Sequence, residues 1–399
     1  MLPSHSRTRP VTVTLSTSKR QRLARWLLWI ALAVHVPVGV VAAVTSQRPH
    51  ADVDNYYDIG TRPGRPYRDF AVEFPLGTAQ AFRVLAPMAG TRQHFGVSLV
   101  IINVLADLAI VAALYWGWGI EAAACWAVIT APILDLFFLR TDLWSTAIVT
   151  IALAAWDRHR PSWAAVGFVA GAAFKLWPLT FLPLLIVPSR PRIRVAPVVT
   201  AAAAGMAVLG LWLWVAGPPG LYQVLTFRGA HGWEVESTVG GVWMMFDRSS
   251  SRLEQGAWRV GTMNSPISVS LFALGTVIAM WMTWRGARTG HLGAGWAGGI
   301  SALLALSALL SPQFACWFAP AAGVALAEGD TRLAIMTAAA VFLTNLEFKS
   351  FVPLLRGDPG ALALVLMRNL LLVLLAIDAA RLLARAPLTP PAASDHLTA

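Results

Sequence analysis

The sequence predicts an all-α polytopic membrane protein, and three observations support this fold class. Hydrophobic residues make up 57% of the 399 residues and charged residues 13%, which is about half the charged share of a soluble domain. Apolar runs of about 20 residues recur, each long enough to cross a hydrocarbon core of ~30 Å as a helix. Backbone polar groups in lipid must bond within their own segment, so helices are the expected spanning element. We therefore expect about 11 to 13 transmembrane or half-membrane helices.

The amino-terminal segment predicts a retained signal-anchor helix. The first 25 residues contain six Arg or Lys and no acidic residue, and the apolar run 26–45 follows. That run is longer than the core of a cleaved signal peptide, so the chain is expected to start in the cytoplasm. Residues 1–25 and the Pro- and Ala-rich cytoplasmic tail 386–399 are expected to be disordered. Residues 26–385 are then expected to form a single integral membrane domain.

The remaining apolar runs predict the other membrane helices. They cover 97–116, 120–139, 142–156, 162–187, 196–216, 266–284, 292–310, 314–327, 333–346 and 361–384. Three short loops between them are rich in Arg, namely 156–161, 188–194 and 284–291. The positive-inside rule places such loops in the cytoplasm. The net charge of +11 therefore indicates membrane orientation and not nucleic-acid binding. Cys125 and Cys316 lie inside apolar runs and show no disulfide or metal spacing.

The number of times that the run 162–187 crosses the membrane decides on which side the next loop lies. A single crossing would put the basic loop 188–194 outside, whereas two short crossings keep it in the cytoplasm. The run contains Lys175 and Pro178 near its middle; a lysine at bilayer depth is costly and a proline breaks a helix. The sequence thus predicts a fold-back with Lys175 at the outer turn. The loops 46–96 and 217–265 then face outward.

Polar residues are predicted to collect on this outer side. An acidic stretch covers 51–77, "RTD" covers 140–142, and "FRGAHGWEVEST" covers 227–238, with Lys175 and Gln313 joining them. Loops are often polar because they are solvated. Lys175, however, has apolar neighbours on both sides, which favours a functional role. Arg140 fits either reading, because an interfacial arginine can extend its guanidinium to water.

Carboxylates and cations collected on one side suit sugar transfer from a lipid phosphate. A carboxylate can take the proton of the acceptor hydroxyl as it attacks the anomeric carbon. Fixed cations stabilise the negative charge that develops on the departing phosphate. Asn103 and Asp107 share a helix face in run 97–116. We expect them to form a structural hydrogen bond between helices.

Several stretches resemble the GT-C glycosyltransferases, and family 87 most of all, whose members use polyprenyl-phosphate mannose in bacterial envelope synthesis. They are "DVDNYYDIG", "GRPYRDFAVEFPLG", "GAAFKLWPLTFLPLL", "RGAHGWEVES" and "SPQFACWFAP", and the resemblance covers most of residues 26–384. It implies a GT-C fold in the plasma membrane, with an extracytoplasmic site. It also implies a polyprenyl-phosphate mannose or arabinose donor, a glycolipid or glycan acceptor, and inverting chemistry without a metal or other cofactor.

The resemblance also suggests roles for individual residues. An aspartate of the first outer loop would be the base, carried onto Asp52 or Asp54. The donor-phosphate candidates are Lys175, Arg228, His231 and Arg140. The candidates for substrate binding are Tyr56, Asp69, Glu73, Trp233, Glu234, Glu236 and Gln313. The sequence departs from the commoner family form at "EFPLG" and at Glu234, which leaves the sugar and the acceptor open.

Other functions remain open at this stage. The chain could transfer arabinofuranose, or it could be a lipid-carrier transporter or flippase, because broken helices also occur in transporters. A catalytically inactive subunit of an envelope-synthesis complex is a third alternative. A transporter does not require acids and cations gathered on one side, and we find no persuasive internal repeat. These two points favour the glycosyltransferase.

Overall fold

The computed structural model describes residues 17–187, 195–248, 251–262 and 265–388. Over these residues the chain is mainly helical. The α-helices are α1 (Thr17–Ser46), α2 (Ala51–Thr61), α3 (Leu76–Ala89), α4 (Arg92–Trp118), α5 (Ile120–Thr130), α6 (Leu134–Phe137), α7 (Asp142–Asp157), α8 (Pro161–Phe174), α9 (Val195–Val215), α10 (Gly217–Leu225), α11 (Thr238–Phe246), α12 (Ser265–Thr289), α13 (Leu292–Ala305), α14 (Ala315–Ala327), α15 (Thr331–Lys349), α16 (Phe351–Leu355) and α17 (Pro359–Arg385). Shorter 3₁₀ helices cover Ala131–Ile133, Trp177–Ile186, Phe227–Gly229 and Pro312–Phe314.

Six helical segments within the described ranges are long and apolar enough to cross a membrane. They are Ser18–Ser46, Arg92–Trp118, Ile120–Phe137, Val195–Val215, Pro266–Thr289 and Pro359–Arg385. This agrees with the predicted all-α polytopic membrane protein. Other predicted runs form shorter helices, such as α13 with 14 residues and α14 with 13. Every residue of α13 is buried, so this helix contacts protein on all sides and need not match the thickness of a bilayer.

The predicted fold-back is present at Lys175. Helix α8 ends at Phe174, Lys175 is extended (φ −151°, ψ 140°), and the 3₁₀ helix Trp177–Ile186 follows. The Thr78 hydroxyl donates to the Phe174 carbonyl over 2.7 Å, which satisfies a carbonyl at the helix end. A Cβ on Gly77 would lie 2.6 Å from the Ala173 carbonyl oxygen, so only glycine allows α3 to pack this closely on the end of α8.

The two long loops contain more structure than the sequence predicted. Helices α2 and α3 lie within 46–96, where the Tyr56 ring stacks on the Phe82 ring at 4.7 Å. The segment 217–265 contains α10 and α11. It also forms an antiparallel sheet of β1 (Trp233–Glu234), β2 (Arg252–Glu254) and β3 (Ala257–Val260) in the order β1-β3-β2. Short amphipathic helices and two-residue strands lack the long apolar runs that revealed the spans.

The boundaries of the membrane domain differ slightly from those predicted. Helix α1 begins at Thr17, so Thr17–Arg25 is helical, and the prediction of disorder over 1–25 is wrong for these residues. Long basic side chains can reach water from a helix that starts below the interface. Helix α17 ends at Arg385. Residues 1–16, 389–399 and the basic loop 188–194 lie outside the described residues.

A buried polar cluster joins three helices in the middle of the bundle. Asp107 of α4 accepts from His35 Nδ1 of α1 at 2.7 Å and from Trp126 Nε1 of α5 at 2.8 Å. His35 Nε2 faces the Ala127 carbonyl at 2.8 Å and donates to it. Nearby, Asn103 Nδ2 donates to the carbonyls of Phe138 and Arg140, both at 2.8 Å. The predicted structural hydrogen bond between helices is confirmed for Asp107, whereas Asn103 binds the backbone of the turn between α6 and α7.

Candidate functional site

Asp52 and Arg140 form an ion pair at one end of the bundle. Asp52 lies in the first turn of α2, and Arg140 lies two residues before the start of α7. Their side chains are 30% and 18% exposed. The Arg140 guanidinium also hydrogen-bonds to the Tyr56 hydroxyl, one helical turn after Asp52. Asn103 holds the Arg140 carbonyl and thereby fixes the backbone beneath the guanidinium.

The charges at this pair act on the neighbouring groups. Burial lowers the pKa of Arg140, but Asp52 and Tyr56 more than offset this and raise it above its ordinary value. Burial, followed by the negative charge of Asp52, raises the pKa of Tyr56. Burial lowers the pKa of His50, whose Nδ1 lies 3.8 Å from Asp52 Oδ2, and this outweighs the opposite influence of Asp52. Asp52 therefore has one permanent cation beside it and one imidazole that tends to stay neutral.

Lys175 forms a second ion pair next to the first. Its Nζ lies 3.3 Å from Asp142 Oδ1, and the Asp142 side chain is 3% exposed. The ammonium also lies over the rings of Phe74 at 5.2 Å and Phe314 at 5.9 Å. Asp142 and Arg140 are two residues apart at the start of α7. Through them, the structure brings Lys175 and Asp52 to the same end of the bundle. We call Asp52, Tyr56, Arg140, Asp142 and Lys175 the Asp52 cluster.

The two aspartates of "DVD" point to different partners. Asp54 pairs with Arg92 at 2.5 Å and is 46% exposed, and it also accepts from the His50 backbone N–H at 3.1 Å. Arg92 in turn donates to the Ser46 carbonyl, so Arg92, the first residue of α4, joins α2 to the end of α1. Within the described residues, no group of three or more His, Cys, Asp or Glu is placed to hold a metal ion.

Glu73 and Arg228 form a second group that links the two long loops. Arg228 Nη1 lies 3.5 Å from Glu73 Oε2, and Asn55 of α2 donates to Glu73 Oε1 at 3.1 Å. Arg228 Nη2 also donates to the Gln255 carbonyl at 2.6 Å. Arg228 has a left-handed backbone with φ 60°, an uncommon conformation for a residue with a side chain. This group joins α2 to the turn between β2 and β3.

Glu234 is buried and engaged with the protein backbone. Its Oε2 accepts from the Leu310 backbone N–H at 2.7 Å. Arg259 stands opposite Glu234 in the sheet register. Burial raises the pKa of Glu234 to about 7, although Arg259, the Leu310 N–H, Arg368 and Arg140 oppose this. Trp233 is also buried, so these two candidates for substrate binding both lie within the packed protein.

Glu236 belongs to the same buried region. Its carbonyl accepts from Arg368 Nη2 at 2.8 Å and from Asn369 Nδ2 at 3.2 Å. Arg368 pairs with Glu347 at 2.8 Å. Burial and the nearby charges of Glu347 and Glu234 raise the pKa of Glu236 well above its ordinary value, against the influence of Arg368 and Arg140. Glu236 is thus a buried acid near Arg140, anchored to α17.

Of the three remaining predicted site residues, two lie apart from these groups and one lies near the Asp52 cluster. His231 has an exposed side chain, and its backbone N–H donates to Glu254 at 2.5 Å. Asp69 accepts from the Arg65 N–H at 2.6 Å within its own surface turn. Gln313 is next to Phe314, which contacts Lys175. The structure therefore brings Gln313 close to the Asp52 cluster, whereas the contacts of His231 and Asp69 are with their own local segments.

Polar atoms around the Asp52 cluster have unused hydrogen-bonding capacity. Arg140 Nε, Thr141 Oγ1, Trp144 Nε1 and Gln313 Oε1 are buried atoms without a hydrogen-bond partner among the described residues. Trp144 packs against Phe174 at 5.9 Å, directly before Lys175. Buried polar atoms are nearly always paired in folded proteins. The unpaired atoms beside the Asp52 cluster are groups with which a polar ligand can hydrogen-bond.

Sequence reasoning missed Asp142 as a site residue, although "RTD" was identified as a polar cluster. The available signal was an acidic residue at the first position of an apolar run, where a carboxylate has to be paired. The aromatic residues Phe74, Phe314 and Trp317 gave no such signal, because aromatic residues are common throughout the chain. No protein-family model matches this chain, and a search of curated proteins finds no significant match.

Proposed function

We propose that this protein is an inverting glycosyltransferase of the bacterial plasma membrane. It transfers a sugar from a polyprenyl phosphate to a glycolipid or glycan acceptor on the extracytoplasmic face, and mannose is the sugar that we propose. The observation that supports this most is the Asp52 cluster. Asp52, with 30% of its side chain exposed, pairs with Arg140. A second cation, Lys175, comes from a separate part of the chain and pairs with Asp142, two residues after Arg140.

The proposed reaction uses the carboxylate and the cations for different steps. Asp52 takes the proton of the acceptor hydroxyl while the hydroxyl oxygen forms its bond to the anomeric carbon. The bond from that carbon to the phosphate oxygen breaks, and the electron pair stays on the phosphate. Arg140 and Lys175 stabilise the resulting anion. Attack opposite to the leaving group inverts the anomeric carbon. A phosphate leaves as an anion, so the step needs no general acid.

Asp52 is the better candidate for the base, and Asp54 the weaker one. Arg140 pairs with Asp52 and interacts with Tyr56 and Asp142. Asp142 pairs with Lys175, so Asp52 belongs to the same cluster as Lys175. Asp54 is bound to Arg92 and to the backbone N–H of His50, which fits a role in joining helix ends. The resemblance of "DVDNYYDIG" to the first outer loop of GT-C enzymes points to the same aspartate.

The residues also support a lipid-linked donor. The cluster lies at the ends of helices that are apolar over their length, so a phosphate at Lys175 would be at the level where a lipid head group meets water. A preloaded lipid donor also suits a compartment that lacks nucleotide sugars. Arg228 and Glu73 lie between the two long loops, where a glycan acceptor could approach.

A donor screen with purified protein tests the proposal. Polyprenyl-phosphate mannose and polyprenyl-phosphate arabinose, each radiolabelled, are incubated with a membrane lipid extract as the source of acceptor. We expect a labelled product with the mannose donor and release of polyprenyl phosphate. Product from arabinose alone would reassign the sugar. Movement of the labelled lipid across vesicles without any product would instead identify a flippase and overturn the proposal.

A further inference from the structure

Asp142 has a role that the proposed reaction does not yet include. It is the first residue of α7 and is nearly fully buried. Two side chains from other parts of the chain reach the same carboxylate oxygen. Lys175 Nζ lies 3.3 Å from Oδ1, and the Trp317 indole N–H donates to Oδ1 over 3.0 Å. A buried carboxylate is tolerated because it is paired and hydrogen-bonded in this way.

The position of Lys175 depends on these contacts. Lysine carries its charge on a flexible four-carbon chain and has no planar group to fix its direction. Phe74 and Phe314 flank the ammonium at 5.2 and 5.9 Å, and ring faces attract a cation without fixing a single point. The carboxylate of Asp142 supplies that point. Trp317 holds the carboxylate, and Phe314 stacks on Trp317 at 4.2 Å, so the whole arrangement is mutually supported.

Asp142 itself is poorly placed to act as the base. Its side chain is 3% exposed, compared with 30% for Asp52. The oxygen Oδ1 is already occupied by Lys175 and Trp317. Any influence of Asp142 on an incoming phosphate therefore passes through Lys175, or through the charge that Asp142 adds to the site.

We propose that Asp142 is a positioning residue, which together with Trp317 holds the Lys175 ammonium where it meets the phosphate of the lipid donor. This positioning role rests on the proposed glycosyl transfer. It gives Asp142 a different function from that of the cations. Lys175 attracts the phosphate, whereas Asp142 places Lys175 and, as an anion, weakens phosphate binding. Loss of Asp142 and loss of Lys175 should therefore move lipid-phosphate affinity in opposite directions while both lower turnover.

The test is a double-mutant cycle with Asp142→Asn and Lys175→Met. Asparagine keeps the shape of the side chain and removes the charge. We expect Asp142→Asn to lower kcat about tenfold, as expected for a misplaced catalytic group, and to bind polyprenyl phosphate at least as tightly as the wild type. Lys175→Met should bind that lipid more weakly. In the double variant, Asp142→Asn should cause no further loss of kcat, because coupled residues are not additive.

Trp317→Phe is the matched control and retains the carboxylate charge. It should lower kcat in the same direction and leave lipid-phosphate affinity unchanged. It also carries the test if Asp142→Asn does not fold. Additive losses of kcat in the cycle, or weaker lipid binding by Asp142→Asn, would overturn the positioning role. The binding arm uses polyprenyl phosphate alone and needs no turnover. A wild type that transfers no sugar would count against the proposed function. The affinities of the variants for polyprenyl phosphate would still decide the role of Asp142.

Discussion

Two polar groups in this protein are built from similar kinds of residue but differ in whether all of their polar atoms are hydrogen-bonded. In the middle of the bundle, Asp107 accepts from His35 and Trp126, and His35 donates to a carbonyl, so all their polar atoms are paired. In the Asp52 cluster, Arg140 Nε and the nearby Trp144 Nε1 have no partner among the described residues. A saturated network stabilises the fold, whereas unused capacity is available to a ligand.

Substitutions in the two groups should therefore have different effects. A change in the saturated group should lower the free energy of unfolding and leave the activity of the folded protein intact. A change at Asp52, the most exposed charge of the Asp52 cluster, should lower activity with little effect on unfolding.

The largest effect is expected for Asp52→Asn. Removal of the base should lower the rate of sugar transfer about 10²- to 10⁴-fold, with the affinity for polyprenyl phosphate retained. The measurement is the initial rate of product formation from the radiolabelled donor. Asp54→Asn is the matched control two residues away, and it should keep most of the rate. Equal rates for both variants and the wild type would show that neither aspartate is the base.

Asp107→Leu should cause the largest loss of stability. It leaves the His35 and Trp126 donors buried without an acceptor, and removal of one partner from a buried pair costs about 3–5 kcal/mol. The measurement is the thermal unfolding of detergent-purified protein, with the transfer rate per folded molecule determined beside it. An unchanged unfolding temperature together with a lost rate would assign this group to the reaction and contradict its structural role.

Lys175→Met should weaken the binding of polyprenyl phosphate by about one to two orders of magnitude, the usual range for a lost charge-assisted contact. Lys349→Met is a suitable control, because Lys349 is an exposed lysine at the end of α15. Binding can be followed by calorimetry in detergent. If both variants bind like the wild type, Lys175 returns to a structural role as the partner of Asp142.

The smallest effect concerns pH and Glu234. Its pKa is raised by burial to about 7 in the folded protein and is about 4.3 in an unfolded chain. The folded state therefore binds more protons between these values. The stability that this group contributes is complete below about pH 4 and is lost as the pH rises through about 7. Glu234→Gln should flatten this part of the stability curve, measured as unfolding temperature against pH. A parallel curve for the variant would contradict the assignment.

Several parts of the site could be predicted from the sequence because their signals are local. Lys175 stood out as a charge inside an apolar run, and Pro178 marked the end of the helix. Their position in the chain was enough to predict the fold-back. Arg140 and Asp52 were recognised as candidates, because they belong to polar stretches that were predicted to lie on the outer side of the membrane.

Other parts could not be predicted, because they depend on which groups meet. Nothing in "DVD" shows that Asp52 faces Arg140 while Asp54 faces Arg92. The "WEVES" stretch looks like a solvated loop, yet Glu234 and Glu236 are buried against β3, α15 and α17. The polar sequence gave no sign that Arg259 and Arg368, both far along the chain, would be buried beside them.

Hydropathy and proline act on a segment of one helix length, so the residues of the chain are enough to specify its helical membrane architecture and the break at Lys175. The partners of each charge, and with them the roles we propose, depend on the tertiary structure. A buried charge needs a partner within a few ångströms, and in this protein the partner comes from a different helix. Only the packing of α2, α7, α8 and α14 specifies that Asp52, Arg140, Asp142 and Lys175 share one end of the bundle.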